Sequence, residues 1–119
     1  MKNLNNMGVG IDLVEINRFK DLPYEKNKSF FEKNFSKNEI EYCLKFSDSY
    51  RHFAGKFALK EALIKSVEFK ISFLEIKTFH VNSKPKIEIQ KFKENYNFLV
   101  SLSHEKSFAI AIVLSEKII

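Results

Sequence analysis

The sequence predicts an α+β fold: a small single domain, residues 1–119, with helices packed on an antiparallel sheet. Three observations carry this. Apolar residues recur at helical spacing only in the first half, most clearly in HFAGKFALKEALIKSV. After Phe73 the apolar period changes to two, as half-buried strands require. An alternating stretch from Met7 to Ile16 sets one strand ahead of the helices. The length suits one core rather than two, and no repeat, low-complexity block or linker divides the chain.

In the first strand Val9, Ile11 and Leu13 share one face and Gly10 and Asp12 the other, with the alternation fading near Val14 and Ile16. Pro23 then breaks the chain in a polar connection. Ser29 with Glu32, and Ser36 with Glu39, both have capping-box spacing. The second opens SKNEIEYCLKF, where Ile40, Cys43 and Leu44 are expected on one helix face. In the next helix Phe53, Phe57, Leu63, Ile64 and Val67 supply the apolar positions. Lys56, Lys60, Glu61 and Lys65 are expected on a connected charged flank. Phe73 to Val81, Lys86 to Ile89 and Phe98 to Ser103 read as strands. The last is expected to pair with Phe108 to Leu114 across the turn His104-Glu105-Lys106-Ser107.

Composition excludes several classes. At 45% hydrophobic and 29% charged, the chain is an ordinary globule rather than a disordered segment. No apolar run approaches the ~18 residues of a membrane span, so no membrane association is expected. The N-terminus lacks a long apolar core and a small-residue cleavage site, so a reduced, cytoplasmic location is expected. Cys43 is the single cysteine, which precludes an internal disulfide and argues against structural zinc. The net charge of +5 favours polyanions or acidic proteins as partners. Nucleic acid is the weaker of these. Only Arg18 and Arg51 are arginines, and most phenylalanines fall at core positions rather than on an exposed stacking face.

Three residues stand out chemically. Asp12 lies inside an otherwise apolar strand, where a carboxylate must be solvated, paired or bound to a cation. Glu61 could be no more than a surface partner of Lys65, a pair worth about 0.3–0.5 kcal/mol. His104 is expected at the tip of the final hairpin, where a lone histidine is ordinarily just solvated. Together, two carboxylates, several lysines and a histidine are the parts of a magnesium-dependent reaction at phosphate. Spacing alone does not bring Asp12 and Glu61 together.

The strings GVGIDLVEINRF, FSKNEIEYC, RHFAGKFALKEALIKS, SKPKIEI and VSLSHEKSFAIAIVLSE resemble, in order, the successive motifs of the holo-[acyl-carrier-protein] synthases, the small trimeric class of 4′-phosphopantetheinyl transferases. The resemblance runs from Gly8 to Glu116. It implies transfer of the 4′-phosphopantetheine arm of coenzyme A to a serine of apo acyl carrier protein, releasing adenosine 3′,5′-bisphosphate, for fatty acid biosynthesis. A cytoplasmic homotrimer that uses Mg²⁺ is implied as well.

Residue by residue, the resemblance makes Asp12 and Glu61 the magnesium ligands and groups them with Lys65, a phosphate-contacting lysine, as the catalytic set. Lys60 joins the cofactor-binding residues with a less defined role. His104 would contact coenzyme A phosphates from the neighbouring subunit. Arg51 and Lys56 would meet the nucleotide's 3′-phosphate, and Arg18, assisted by Lys28, would receive the acidic carrier protein. The implied mechanism is in-line attack of the carrier serine on phosphorus. Two features depart from the family: SVEFKISFLEI stands where a glycine-containing turn is usual, and some phosphate-contacting arginines are lysines here. Two other classes compete with the enzyme, an inactive carrier-binding scaffold and a basic nucleic-acid-binding module.

Overall fold

The computed structural model describes residues 4–90 and 95–118. Strand β1 (Met7–Glu15) pairs antiparallel with β5 (Phe108–Lys117), and β5 with β4 (Tyr96–His104), giving the order β1-β5-β4. Strands β2 (Ile76–Val81) and β3 (Lys84–Ile89) form a separate hairpin. Its turn residues Asn82 and Ser83 both have positive φ, 52° and 67°, as a two-residue connection with the right twist demands. Between β1 and β2 lie α1 (Ile16–Lys20), α2 (Lys28–Asn34), α3 (Lys37–Leu44) and the long α4 (Ser49–Ser66).

Helix α4 is seated on the inner face of the three-stranded sheet, which is built of small residues. Gly8, Gly10, Ala109, Ala111 and Ser115 lie on it. A Cβ added at Gly10 would stand 1.8 Å from the Ala62 carbonyl oxygen, and one at Gly8 equally close to that of Ser66. The helix backbone therefore rests directly on β1, and Ser115 Oγ fastens its end by donating to Ser66 O at 2.8 Å. The alternation in β1 thus turns Val9, Ile11 and Leu13 outward, 59%, 60% and 57% exposed. Ile112, Leu114 and Leu99 extend this uncovered apolar face across β5 and β4.

The smaller helices close over the other side of α4. Phe19, Phe31, Phe35, Phe53 and Phe57 are buried together, with Phe31 and Phe53 edge to face at 4.6 Å. The capping box at Ser36 and Glu39 forms: Ser36 N donates to Glu39 Oε1 at 2.8 Å and Glu39 N to Ser36 Oγ at 3.2 Å. The one expected at Ser29 and Glu32 does not. Helix α2 begins two residues earlier, at Lys28, and its N-cap Asn27 closes the preceding turn by donating from Nδ2 to Pro23 O.

Four other expectations are corrected. Leu44 is exposed while Glu39 is buried, because Glu39 serves an ion pair inside. Lys56 and Lys60 lie in the interior rather than on a charged flank. Phe73–Glu75 is a 3₁₀ turn, its backbone held by the Ser72–Glu75 side-chain contacts, so the strand starts at Ile76. His104 pairs with Ala109 as the last residue of β4, which sends its side chain to the inner face instead of the turn.

Gly10→Ala forces a methyl into a backbone carbonyl with no side chain able to yield. The expected cost is about 3 kcal/mol or more, read as a lowered urea midpoint; an unchanged midpoint would show that α4 does not rest on β1.

Candidate active site

On the β1 flank of α4, Asp12 projects from the inner face of the strand toward the last turns of the helix. Lys65 Nζ donates to Asp12 Oδ1 and to Ile11 O, both at 3.1 Å. Glu61, one helical turn before Lys65, faces the same place. Burial raises its pKa above the usual carboxylate range, the Asp12 charge raises it further, and Lys65 and Arg18 oppose both. Two carboxylates from separate elements thus share a partly buried space with a lysine. Oxygen donors of this kind fit a hard divalent cation, whose charge would relieve their repulsion. Among the described residues no three His, Cys, Asp or Glu side chains group to hold a metal. Water and substrate oxygens would have to complete the coordination.

Arg18 lies at the rim of this cluster. Its guanidinium carbon sits 4.9 Å from the centroid of the Phe57 ring, with Phe19 behind at 5.9 Å, so an exposed cation is laid on a rigid aromatic floor. Lys28 is exposed and pairs with Glu25 at 3.3 Å.

The remaining residues occupy the opposite, β4 flank of α4. His104 Nε2 is 3.2 Å from Arg51 O and packs against Gly55, where a Cβ would lie 2.9 Å from that nitrogen. Arg51 Nε stands 3.7 Å from Asp48 Oδ2. Lys56 Nζ donates to Thr78 Oγ1 at 3.0 Å and to Thr78 O at 3.4 Å, beneath the ring of Tyr42. Strand β5 separates β1 from β4, so one chain does not bring His104, Arg51 and Lys56 to Asp12 and Glu61.

Lys60 joins neither group. Its ammonium is fully buried and donates to Glu39 Oε1 at 2.7 Å, Asn34 O at 2.8 Å and Phe73 O at 3.0 Å. With three protons and three acceptors, it has none left for a phosphate in this arrangement, and its bonds serve the packing of α4 against α2 and α3. Glu39 was missed as its partner. Burial pushes the Glu39 carboxyl up, but Lys60 and the bonds from Thr78 and Ser36 outweigh this and hold it below its usual value. The capping spacing revealed one oxygen of Glu39 and concealed the other. Cys43 is buried, its thiol pushed up to about 12 by desolvation, so it is no nucleophile near neutral pH.

Residues 8–113 match the model of the 4′-phosphopantetheinyl transferase superfamily. The chain belongs to this superfamily. Among its relatives, proteins named holo-[acyl-carrier-protein] synthase from Thermodesulfovibrio yellowstonii and Mycoplasma mycoides are 37% and 42% identical to it. The alignments cover 90% and 95% of this chain, and 96% of each relative. The Helicobacter pylori holo-[acyl-carrier-protein] synthase, solved in complex with coenzyme A, superposes with a TM-score of 0.77 at 34% identity, over 91% of this chain and 99% of that one. The Bacillus anthracis enzyme, in complex with CoA (3′,5′-ADP), gives 0.76 at 30%, over 92% and 96%. The α+β architecture expected from sequence is the architecture of these transferases.

The electrostatics of the carboxylate pair can be read directly. Followed by ¹³C NMR, the Glu61 carboxyl should titrate lower in Asp12→Asn, which removes a like charge, and higher in Lys65→Met, which removes the opposing one. Identical Glu61 titration in both variants and the parent would show that the three groups do not share a site.

Proposed function

We propose that this protein transfers the 4′-phosphopantetheine arm of coenzyme A to a serine of apo acyl carrier protein, in a magnesium-dependent reaction serving fatty acid biosynthesis. The observation that carries this is the convergence of Asp12, Glu61 and Lys65 from β1 and α4 on one partly buried, solvent-reachable point. Asp12 and Glu61 would hold Mg²⁺, which when bound supplies positive charge to the diphosphate oxygens. Lys65 adds a second cation there, close enough to exchange its bond to Asp12 for one to phosphate. The carrier serine oxygen forms the new P–O bond and gives up its hydroxyl proton to a carboxylate of the Asp12–Glu61 pair or to water, as the bond to adenosine 3′,5′-bisphosphate breaks and the nucleotide leaves with the electron pair. Positioning and charge neutralisation supply most of the acceleration in such a transfer. Arg18, steadied on Phe57 beside Glu61, would meet an acidic carrier at the mouth of the site.

The working form is a homotrimer. Two features of the chain support an assembly of copies. Val9, Ile11 and Leu13, with Leu114 and Leu99, leave an apolar sheet face uncovered, a liability in a lone molecule. The phosphate-binding candidates are also split across α4, so that His104, Arg51 and Lys56 of one copy can serve the Asp12–Glu61 pair of another.

Intact-mass spectrometry of apo acyl carrier protein, incubated with the protein, coenzyme A and Mg²⁺, tests the reading. One phosphopantetheine arm should be gained, and EDTA should suppress the gain. Asp12→Asn and Glu61→Gln should each lower the rate by about a hundredfold or more. No gain with a folded protein, or full rates in both variants, would overturn it.

A further inference from the structure

The surfaces by which α4 meets the sheet are smooth. Gly8, Gly10, Ala109 and Ala111 raise no side-chain ridge, and Ala58 and Ala62 of the helix are themselves fully buried. Close approach follows, but a surface without ridges gives a helix little to lock its roll against. On the β1 flank Lys65 ties the helix to the strand through Asp12 Oδ1 and Ile11 O. The transferase reading has that lysine leave Asp12 for phosphate. Ser115 holds the carbonyl of Ser66 at the helix end, more than a turn beyond Glu61.

The side of α4 away from the sheet is gripped by directional bonds. Lys56 and Lys60, one turn apart on one face, both send their ammonium groups into a buried polar chain. Lys60 Nζ donates to Glu39 Oε1 at 2.7 Å. Thr78 donates to Glu39 Oε2 twice, from its backbone N–H at 2.9 Å and from its hydroxyl at 2.6 Å. Lys56 Nζ donates to Thr78 Oγ1 at 3.0 Å, and Ser36 N, at the cap of α3, to Glu39 Oε1 at 2.8 Å. One carboxylate, 3% exposed, thus joins α3, β2 and two successive turns of α4. The phenylalanines around it attract the helix without fixing its angle.

Successive residues stand roughly 100° apart around an α-helix. With Lys60 turned into this chain, Glu61 lies about 100° and Lys65 about 140° from it, on the edge that looks toward Asp12. A roll of about 20°, at about 6 Å from the helix axis, carries the Glu61 carboxylate about 2 Å. That is well past the ~0.5 Å within which a working constellation must be held.

We propose that Glu39 and Thr78 are positioning residues for the metal site: through Lys60 and Lys56 they clamp the roll of α4 and keep Glu61 opposite Asp12 when Lys65 turns to phosphate. This rests on the transferase reading, and it gives a part in the reaction to two buried residues outside the Asp12 site. Glu39→Gln combined with Lys60→Met tests it, since both charges go and Thr78 keeps an acceptor. The double variant should hold the parent's urea midpoint, while either change alone lowers it by leaving one charge buried without its partner.

Two readouts then follow aim rather than fold. Binding of Mn²⁺, a paramagnetic substitute for Mg²⁺, is measured by electron paramagnetic resonance with coenzyme A present, and kcat and KM for the carrier are measured by loading. In the double variant Mn²⁺ affinity and kcat should each fall by about tenfold or more, with KM for the carrier unchanged. A merely structural role would move the midpoint and leave both values of the folded protein at the parent's level. If the double variant fails to fold, Thr78→Val carries the test: it keeps the ion pair and removes the hydroxyl that joins Glu39 to Lys56. Its Mn²⁺ affinity should fall by about threefold.

A folded variant that binds Mn²⁺ and turns over as the parent does overturns the clamp and leaves the transferase reading standing. A parent that binds Mn²⁺ but loads no carrier removes the transferase reading, and the affinity ratio then judges the clamp by itself: the predicted loss supports it and parity overturns it. A parent that binds no Mn²⁺ overturns the clamp together with the metal assignment.

Discussion

The proposed site depends on how closely α4 lies on the sheet. Gly8 and Gly10 leave no side chain between β1 and the helix, so the Ala62 and Ser66 carbonyls sit where a Cβ would be. At that separation Lys65 reaches both Asp12 and the strand backbone, and Asp12 raises the Glu61 carboxyl. The same contact recurs on the far flank, where Gly55 makes room for His104. The small residues of the sheet thus serve the site as spacers: they set a helix with chemistry on both flanks at fixed distance from two strands that also carry chemistry.

A second constraint fixes the rotation of α4. Lys60 projects from the side opposite the sheet into a fully buried ion pair with Glu39, which is itself held by the cap of α3 and by Thr78 of β2. Removing one partner of such a pair leaves an uncompensated buried charge, at a cost of about 3–5 kcal/mol. The pair is therefore a poor place for a helix to slip. Because Glu61 follows Lys60 in sequence, anchoring the one on the inside aims the other outward toward Asp12.

Much of this was legible in the sequence, and the failures have common causes. The change of period from 3.6 to 2 located α4 and the C-terminal strands, because one face of each is buried. It could not say which face of β1 meets the helix: the apolar triplet Val9, Ile11 and Leu13 is the exposed one, and the glycine face is covered. The residue pattern singles out Asp12, Glu61 and His104, and the resemblance adds Lys65 and sets His104 in a neighbouring subunit; the physical ground for that division, β5 lying between β1 and β4, is visible only in the fold. Lys56 and Lys60 are indistinguishable from surface charges in sequence, because a lysine looks the same whether solvated or given buried acceptors.

The proposed division of the site between two flanks makes one measurement decisive. Asp12→Asn and His104→Ala should each be inactive alone, for lack of one flank. Refolded together in equal amounts, they should assemble with about a quarter of the interfaces holding one intact flank from each copy. The transfer rate of that mixture is the test. Recovery of about a quarter of the parent rate per site is the predicted result; a co-refolded mixture no more active than either variant alone would contradict a site shared between copies.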